Sequence, residues 1–525
     1  MSKSSTFYNF SSFQAFATYN YQLSQFHKFK LLGGYSFEDY RNESQGSGIN
    51  SLVTNDFFSL NWGNAQSASV SDAISTYATM GFFGRLNYNF KEKYLFEANL
   101  RYDGSSRLAP ENRWRSFPSL SAGWVISNED FFPTSNVVSS LKVRASWGQL
   151  GNSDALGYYD YIGMLNANSD LPFNNVRNTR IYQSQLASPL KSWEIIETSN
   201  IGIDVSLLNN RLGITGDYYV KTNKNMLANL EVPSIIGVGL STYNIGELRT
   251  KGWEVNVEWR EMSNKFKYWI SANLSDNTNK LVKYSGRNVV LPGMVSLIEG
   301  TPLRTIWGYK TDGFFQTNEE YNDYGVFISA KTGEGDMKYL DLDKDKKING
   351  GNGTLENHGD LVLLGNETPR YLFGVNLGLE WKGINLSAFF QGVGKRLFFM
   401  ENSNFQPLLY DWKMPYAEQS DYWTPDNRDA FWPRPYSNGD QSYWASDYWV
   451  QNAAYIRLKN IELGYTLPQS LTKRISIDRV KLFVSGQDVF EFTKAFSFVD
   501  PEYPNNAAIV YPFFRTYLFG LNVTF

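Results

Sequence analysis

The chain has 525 residues with 49 basic and 52 acidic side chains, a formal net charge of −3 at pH 7, and so carries no nucleic-acid footprint. Cysteine is absent and the two histidines, His27 and His358, stand far apart. That excludes disulfides, zinc thiolates and cysteine nucleophiles, and disfavours a multi-histidine metal centre or a serine–histidine hydrolase.

The outlying quantity is aromatic content, with 34 Tyr, 37 Phe and 15 Trp making 16% of the residues. A tyrosine-rich soluble β-protein or the aromatic girdles of a transmembrane β-barrel would absorb such an excess. No apolar run approaches the roughly 18 residues of a membrane helix. Residues 1–7 (MSKSSTF) lack the apolar core of a signal peptide, so Met1 is expected not to be the natural beginning of the protein.

In chain order, the dominant period is two. Strands are expected at 13–23 and 27–37, then at 83–90 and 94–102 around a Lys91-Glu92-Lys93 turn. Further strands fall at 117–126, 141–150, 201–207 and 212–219, the last two flanking Asn209-Asn210, and at 252–260 and 266–274. From Tyr371, apolar Tyr371, Phe373, Val375, Leu377, Leu379 and Trp381 alternate with small or polar residues. After a Lys382-Gly383 turn, Ile384, Leu386, Ala388 and Phe390 do the same. Residues 455–467, 480–490 and 513–525 complete a set of roughly 14 to 16 strands.

Many of these strands run about 9 to 13 residues, enough to cross a bilayer at a tilt. Tight connections at one end alternate with long ones at the other, including 281–369 and the aromatic-rich 394–451. The fold expected is all-β, a transmembrane antiparallel β-barrel with long extracellular loops. In the last strand, Tyr517, Phe519, Leu521, Val523 and Phe525 share an apolar face, which Arg515 interrupts near its start.

Five segments carry a resemblance to a known family: 84–132 (opening GRLNYNFKEKYLFEANLRYDGSSRLAP), 141–152 (LKVRASWGQLGN), 193–259, 335–394, and 455–525 (opening YIRLKNIELGYTLP). Together they resemble the SusC/RagA family of TonB-dependent outer-membrane transporters. The resemblance implies a 22-stranded barrel closed by an N-terminal plug, of which this chain is the C-terminal portion, without plug or TonB-contacting segment. It further implies location in the outer membrane among its lipids, import of oligosaccharide or peptide ligands, a SusD-like surface lipoprotein as partner, and no enzymatic activity. A passive pore or adhesin barrel is the alternative, and a soluble carbohydrate-binding β-protein a more distant one.

Two loops hold candidate sites. Asp341, Asp343 and Asp345 are spaced as in a calcium loop, with the Lys347 carbonyl next in order. Lys346 stands where the sharp turn wants glycine, and Asn352 where a bidentate glutamate would fall; Glu356 or Asp360 would close the shell. A structural Ca²⁺ is the only cofactor in view, and a solvated acidic turn is the alternative. In the family this acidic loop lies between a Gly-Asp-x-x-Tyr stretch, here Gly335, Asp336 and Tyr339, and a downstream acid, here Asp360.

The second loop holds Trp412, Trp423, Trp432, Trp444 and Trp449, whose rings would stack on sugars or else pack the loop's own core. Asn376, Glu380, Asn385, Ser387 and Gln391 are expected on the hydrated face of their strands. There is no G-x-S-x-G elbow and no phosphate loop.

Overall fold

The computed structural model describes residues 1–525 except 55, 57, 58, 134, 135, 174, 175, 184, 231–233, 263, 264, 287, 294, 400–405, 411–413, 438–440, 498 and 504–512. Its alternating sequence folds into one large sheet whose strand order follows the sequence. The strands are β1 (Ser2–Gln22), β2 (His27–Gly48), β3 (Ser69–Phe90), β4 (Tyr94–Ser105), β5 (Trp114–Val125), β6 (Val138–Asn152), β7 (Glu194–Leu207) and β8 (Leu212–Asn229). They continue as β9 (Thr242–Glu261), β10 (Phe266–Tyr284), β11 (Arg370–Trp381), β12 (Ile384–Lys395), β13 (Tyr455–Thr466), β14 (Arg479–Thr493) and β15 (Thr516–Thr524). Every expected strand is found.

The tight turns have the geometry hairpins need. Lys91 and Glu92 adopt φ of 53° and 56°, and Lys382 and Gly383 of 49° and 86°. Positive φ at both central positions matches the right-handed twist of the flanking strands.

The strands are longer than the apolar alternation indicates. β2 runs on through Glu38–Gly48 and β3 begins at Ser69, the two staying in register from His27↔Phe90 to Gly48↔Ser69. The added residues are mostly polar, broken by Tyr40 in β2 and by Val70, Ile74 and Tyr77 in β3. Apolar alternation reports contact with lipid, whereas backbone pairing does not depend on it, so pairing continues where the pattern stops. At the other end of the chain β15 starts at Thr516, one residue past Arg515, rather than at Phe513.

The chain divides into two compact units. In the first (Met1–Phe132, Lys142–Ile201, Lys221–Leu248), register places two aromatic belts on one face. Beside the short turns lie His27, Phe90, Tyr94 and Trp124, with ring centroids 4.8 Å apart for His27–Phe90 and 6.5 Å for Tyr94–Trp124. Eight residues along each strand stand Tyr35, Phe82 and Tyr102, joined by Trp114, with Tyr35–Phe82 at 5.2 Å and Tyr102–Trp114 at 5.0 Å. Eight residues are about 27 Å of strand. At the tilt of barrel strands that is roughly 20 Å of height, close to an outer-membrane apolar band. Leu31, Leu86, Ala98 and Leu120 fill the interval.

The opposite face is polar. Arg85 Nε donates to Asn99 Oδ1 at 2.6 Å, and Asn99 Nδ2 to Glu97 Oε1 at 2.8 Å. In the second unit (Pro133–Leu141, Gly202–Val220, Arg249–Phe525), the same division runs across β10 to β14. Phe266, Trp381, Ile384 and Tyr465 align beside the short turns on the apolar face.

Candidate functional site

Within the second unit the connections 285–369 and 396–454 fold together around one apolar core. The first contributes the strands Thr305–Gly308, Thr311–Phe314, Met337–Tyr339 and Val362–Asn366 and a short helix, Asn318–Tyr324. A Thr317 N-cap starts that helix, its hydroxyl accepting from the Glu320 N–H, and Gly325 at φ 66° ends it. Phe315, Tyr339 and Leu361 are fully buried, beside Trp423, Trp432, Tyr443 and Trp449 from the second connection.

A buried carboxylate ties the two connections. Asp336 has no exposed surface and accepts from the Gly333 N–H (2.8 Å), the Tyr436 hydroxyl (2.9 Å), Gln441 Nε2 (3.1 Å) and Arg434 Nη2 (3.3 Å). Burial pushes its carboxyl above the usual range against these stabilising contacts. Tyr339 donates its hydroxyl to the Gln441 carbonyl at 2.7 Å, while its own carbonyl accepts from the Tyr324 hydroxyl at 2.6 Å. Gly335, at φ 82°, lies against Trp423: an added Cβ would stand 2.4 Å from the indole. The Gly-Asp-x-x-Tyr stretch is therefore the clamp between the two loops. Its partners lie about a hundred residues away in sequence, and no local signal marks Arg434, Tyr436 or Gln441 as members.

Two residues beyond this clamp begins the acidic turn. Asp341, Asp343 and Asp345 each bring a carboxylate oxygen within 4.8 Å of the others. Backbone N–H groups shape the turn: Asp341 accepts from Lys344 (2.7 Å) and Lys346 (3.0 Å), Asp343 from Asp345 (3.1 Å), and Asp345 from Lys347 (2.7 Å). Lys344 and Lys346 take φ of 65° and 66°, so Lys346 supplies the left-handed conformation for which glycine is the usual residue. The Lys347 carbonyl faces the Asn349 side-chain amide at 3.4 Å.

Asp360 is not drawn into this group. It is fully buried and accepts the N–H groups of Leu342 (2.6 Å), Asn349 (3.0 Å) and Asp343 (3.4 Å), bracing the turn from inside. Its carboxyl is also raised by burial.

The tryptophans are placed inside the loop. Trp423, Trp432 and Trp449 are 2%, 3% and 1% exposed. Trp432 stacks on Trp449 at 5.5 Å, and Trp449 on Tyr443 at 4.9 Å. Their indole N–H groups donate inward: Trp432 to the Glu418 carbonyl (3.0 Å), Trp449 to the Ser442 carbonyl (2.8 Å), Trp423 to Gln316 Oε1 (3.4 Å). Stacking on a sugar needs an open face, which these three lack; loop packing has taken them. Trp444 is half-buried, against Tyr339 at 5.6 Å, and Trp412 lies outside the described residues.

With this geometry in place the comparisons decide the family. The family model described as TonB dependent receptor-like, beta-barrel matches residues 2–489. The chain belongs to that family. TonB-dependent receptor P3 of Formosa agariphila is 30% identical over 97% of this chain and 52% of its own length. TonB-dependent receptor SusC of Bacteroides thetaiotaomicron is 28% identical over 86% of this chain and 44% of its own. The chain spans about half the length of the curated relatives it matches. Among solved structures, the RagAB peptide transporter superposes with a TM-score of 0.82 at 24% identity, over all of this chain and 56% of that one, which shows the same fold.

This TonB-dependent receptor barrel is thus an outer-membrane β-barrel chain. Register puts Asn376, Glu380, Asn385, Ser387 and Gln391 on its polar face, as expected: Asn376 pairs with Ser271, Glu380 with Asn385, Ser387 with Glu462, and Gln391 with Arg457. Charges on that face are paired, Lys267 with Glu380 at 3.6 Å and Lys481 with Glu462 at 2.6 Å.

Proposed function

We propose that this chain is the barrel part of an importer that carries oligosaccharide or peptide nutrients across the outer membrane. TonB drives it through a region that the curated relatives' greater length accommodates, and a SusD-like surface lipoprotein caps it. The observation that carries this reading is the sheet itself, with one lipid-compatible face belted by aromatic rings and one polar face. The names of its relatives, SusC and the RagAB peptide transporter, support the same reading. The polar face then lines the hydrated path, and the chain works by carriage rather than catalysis.

Accumulation of labelled oligosaccharide and peptide mixtures by cells expressing the full-length gene product tests this. Uptake is expected to stop when TonB is deleted. Uptake that persists without TonB indicates a passive pore and overturns the proposal.

In this reading the acidic turn holds a structural Ca²⁺ through Asp341, Asp343 and Asp345 with the Lys347 carbonyl, and Asp360 supports the turn from behind. Carboxylate oxygens within 4.8 Å of one another are compatible with a common cation whose ligands lie at about 2.3–2.6 Å. The tryptophan loop then serves ligand or lipoprotein through its outer surface, with Trp423, Trp432 and Trp449 as its stiffening core. Ca²⁺ is expected to protect residues 335–361 from proteolysis, and Asp341→Ala with Asp343→Ala to abolish that protection while the barrel still assembles. Equal protease sensitivity of the unmutated loop with and without Ca²⁺ eliminates the metal.

A further inference from the structure

The acidic turn runs on into two Asn-Gly pairs, Asn349-Gly350 and Asn352-Gly353. Before glycine an asparagine side chain is open to attack by the next main-chain nitrogen, since no Cβ crowds the approach. In sequence the two pairs are equivalent, and a third, Asn438-Gly439, lies outside the described residues. The fold makes the first two unequal.

Asn349 is half-buried and held at every polar atom. Its Nδ2 donates to Asp345 Oδ2 at 3.0 Å and to the Lys347 carbonyl at 3.4 Å, while its Oδ1 accepts the Gly351 N–H at 2.7 Å. On the main chain, its N–H donates to Asp360 Oδ2 and its carbonyl accepts the Asp360 N–H, both at 3.0 Å. Turning this amide towards the Gly350 nitrogen breaks the side-chain contacts, and the buried Asp360 keeps the main chain from following.

Asn352 is exposed, and its Nδ2 has no partner among the described residues. Its Oδ1 accepts two donors from one residue, the Thr354 N–H at 3.1 Å and the Thr354 hydroxyl at 2.9 Å. Such donors stabilise the oxyanion that forms when a carbonyl is attacked. A side-chain oxygen bonded two residues ahead also folds the amide back over the intervening peptide, here that of Gly353. Gly353 is steadied on its far side, at φ 73° with its carbonyl accepting the Val290 N–H at 2.8 Å, and its own N–H makes only a long bond of 3.2 Å to the Gly350 carbonyl. Nucleophile, electrophile and oxyanion donors thus stand in three consecutive residues, with the leaving nitrogen in solvent.

We propose that Asn352 is a self-modification site, which deamidates in the folded protein while Asn349 keeps its amide. The Gly353 nitrogen gives up its proton to water or hydroxide and bonds to Asn352 Cγ. The Cγ–Nδ2 bond breaks, and the nitrogen takes up a proton and leaves as ammonia. Water then opens the cyclic imide, at one carbonyl to leave an aspartyl residue and at the other to leave an isoaspartyl residue. No electrons are transferred, and water is the only co-reactant. Either product adds one negative charge just beyond the acidic turn. The aspartyl product sets a carboxylate at the twelfth place counted from Asp341, where a calcium loop carries its bidentate acid. The isoaspartyl product lengthens by one methylene the main chain between Asn349 and Asp360, whose mutual bonds close this part of the loop. The loop therefore changes with age, in charge or in length, without the action of another protein.

The test incubates the detergent-solubilised full-length gene product at mildly alkaline pH and follows it by tryptic digestion and mass spectrometry. Lys347 and Arg370 bound a peptide, 348–370, that carries both pairs, and fragmentation assigns each exchange of NH₂ for OH to its residue. The same peptide, released beforehand, serves as the unfolded reference. In the folded protein Asn352 is expected to convert at least about tenfold faster than Asn349, whereas in the peptide the two convert at similar rates. Thr354→Val, which loses the hydroxyl and keeps the N–H, is expected to slow Asn352 about threefold in the folded protein and to leave the peptide rate unchanged. Heat-modifiable migration in SDS gels shows that the barrel is folded in each sample. Equal rates in the folded protein, conversion first at Asn349, or an Asn352 that stays intact while the peptide converts overturns the proposal.

Discussion

Two buried carboxylates, Asp336 and Asp360, organise the loop connections of the second unit, and neither works by pairing with a single cation. Asp336 gathers side-chain donors from about a hundred residues away, and Asp360 gathers backbone N–H groups of the acidic turn. Both carboxyls are pushed up by burial, so each holds a proton more readily in the folded loop than in the unfolded chain. Their contribution to stability is therefore fully present below the ordinary aspartate value near 3.8 and is lost as pH rises through the raised values. In chelator, hydrogen-exchange protection of residues 333–361, corrected for intrinsic rates, is expected to fall as pH rises above the ordinary aspartate value near 3.8. Asp336→Asn should remove part of that dependence; a flat profile in the unmutated protein contradicts the account. Asp360→Ala leaves three N–H groups without their acceptor and is expected to destabilise the turn by about 1–3 kcal/mol, read as faster proteolysis of the loop alone.

The hairpins are where sequence and structure agree most closely. At Lys382-Gly383 the turn needs positive φ at both residues, and a Cβ on Gly383 would stand 2.6 Å from the Thr466 carbonyl. Gly383→Val is expected to cost at least about 1–2 kcal/mol and to lower the temperature at which the folded band disappears in heat-modifiability gels. An unchanged transition counts against a strained turn. Strand identity was legible because lipid enforces the period of two and short turns enforce Gly, Asn and Lys pairs. Strand length was not, since the polar continuations of β2 and β3 carry no alternation to read. The acidic turn was legible for the same kind of reason, its three carboxylates being neighbours in sequence. Trp423, Trp432 and Trp449 were misleading because composition shows that rings are present and not which way they face. The Asp336 clamp was hidden by distance: its members meet only once the strands and connections are in place.

Across the first unit, the two aromatic belts define a band that the chain must match to a membrane. Leu86 sits midway between Phe82 and Phe90 on the apolar face. Leu86→Arg is expected to destabilise the barrel by about 2–4 kcal/mol, whereas a similar change in the polar extension of β3 costs little. Equal effects at both positions, measured by urea unfolding in lipid vesicles, mean the band is misplaced. Beyond the outer belt β2 continues from Ser36 to Gly48 still paired with β3, about 43 Å of strand. Even at a 45° tilt the paired strands rise roughly 30 Å above the outer belt. Such a projection turns a membrane protein into a landmark on the cell surface. The paired tip at Gly48 and Ser69 thus stands in water beyond the lipid, where other macromolecules at the cell surface can reach it.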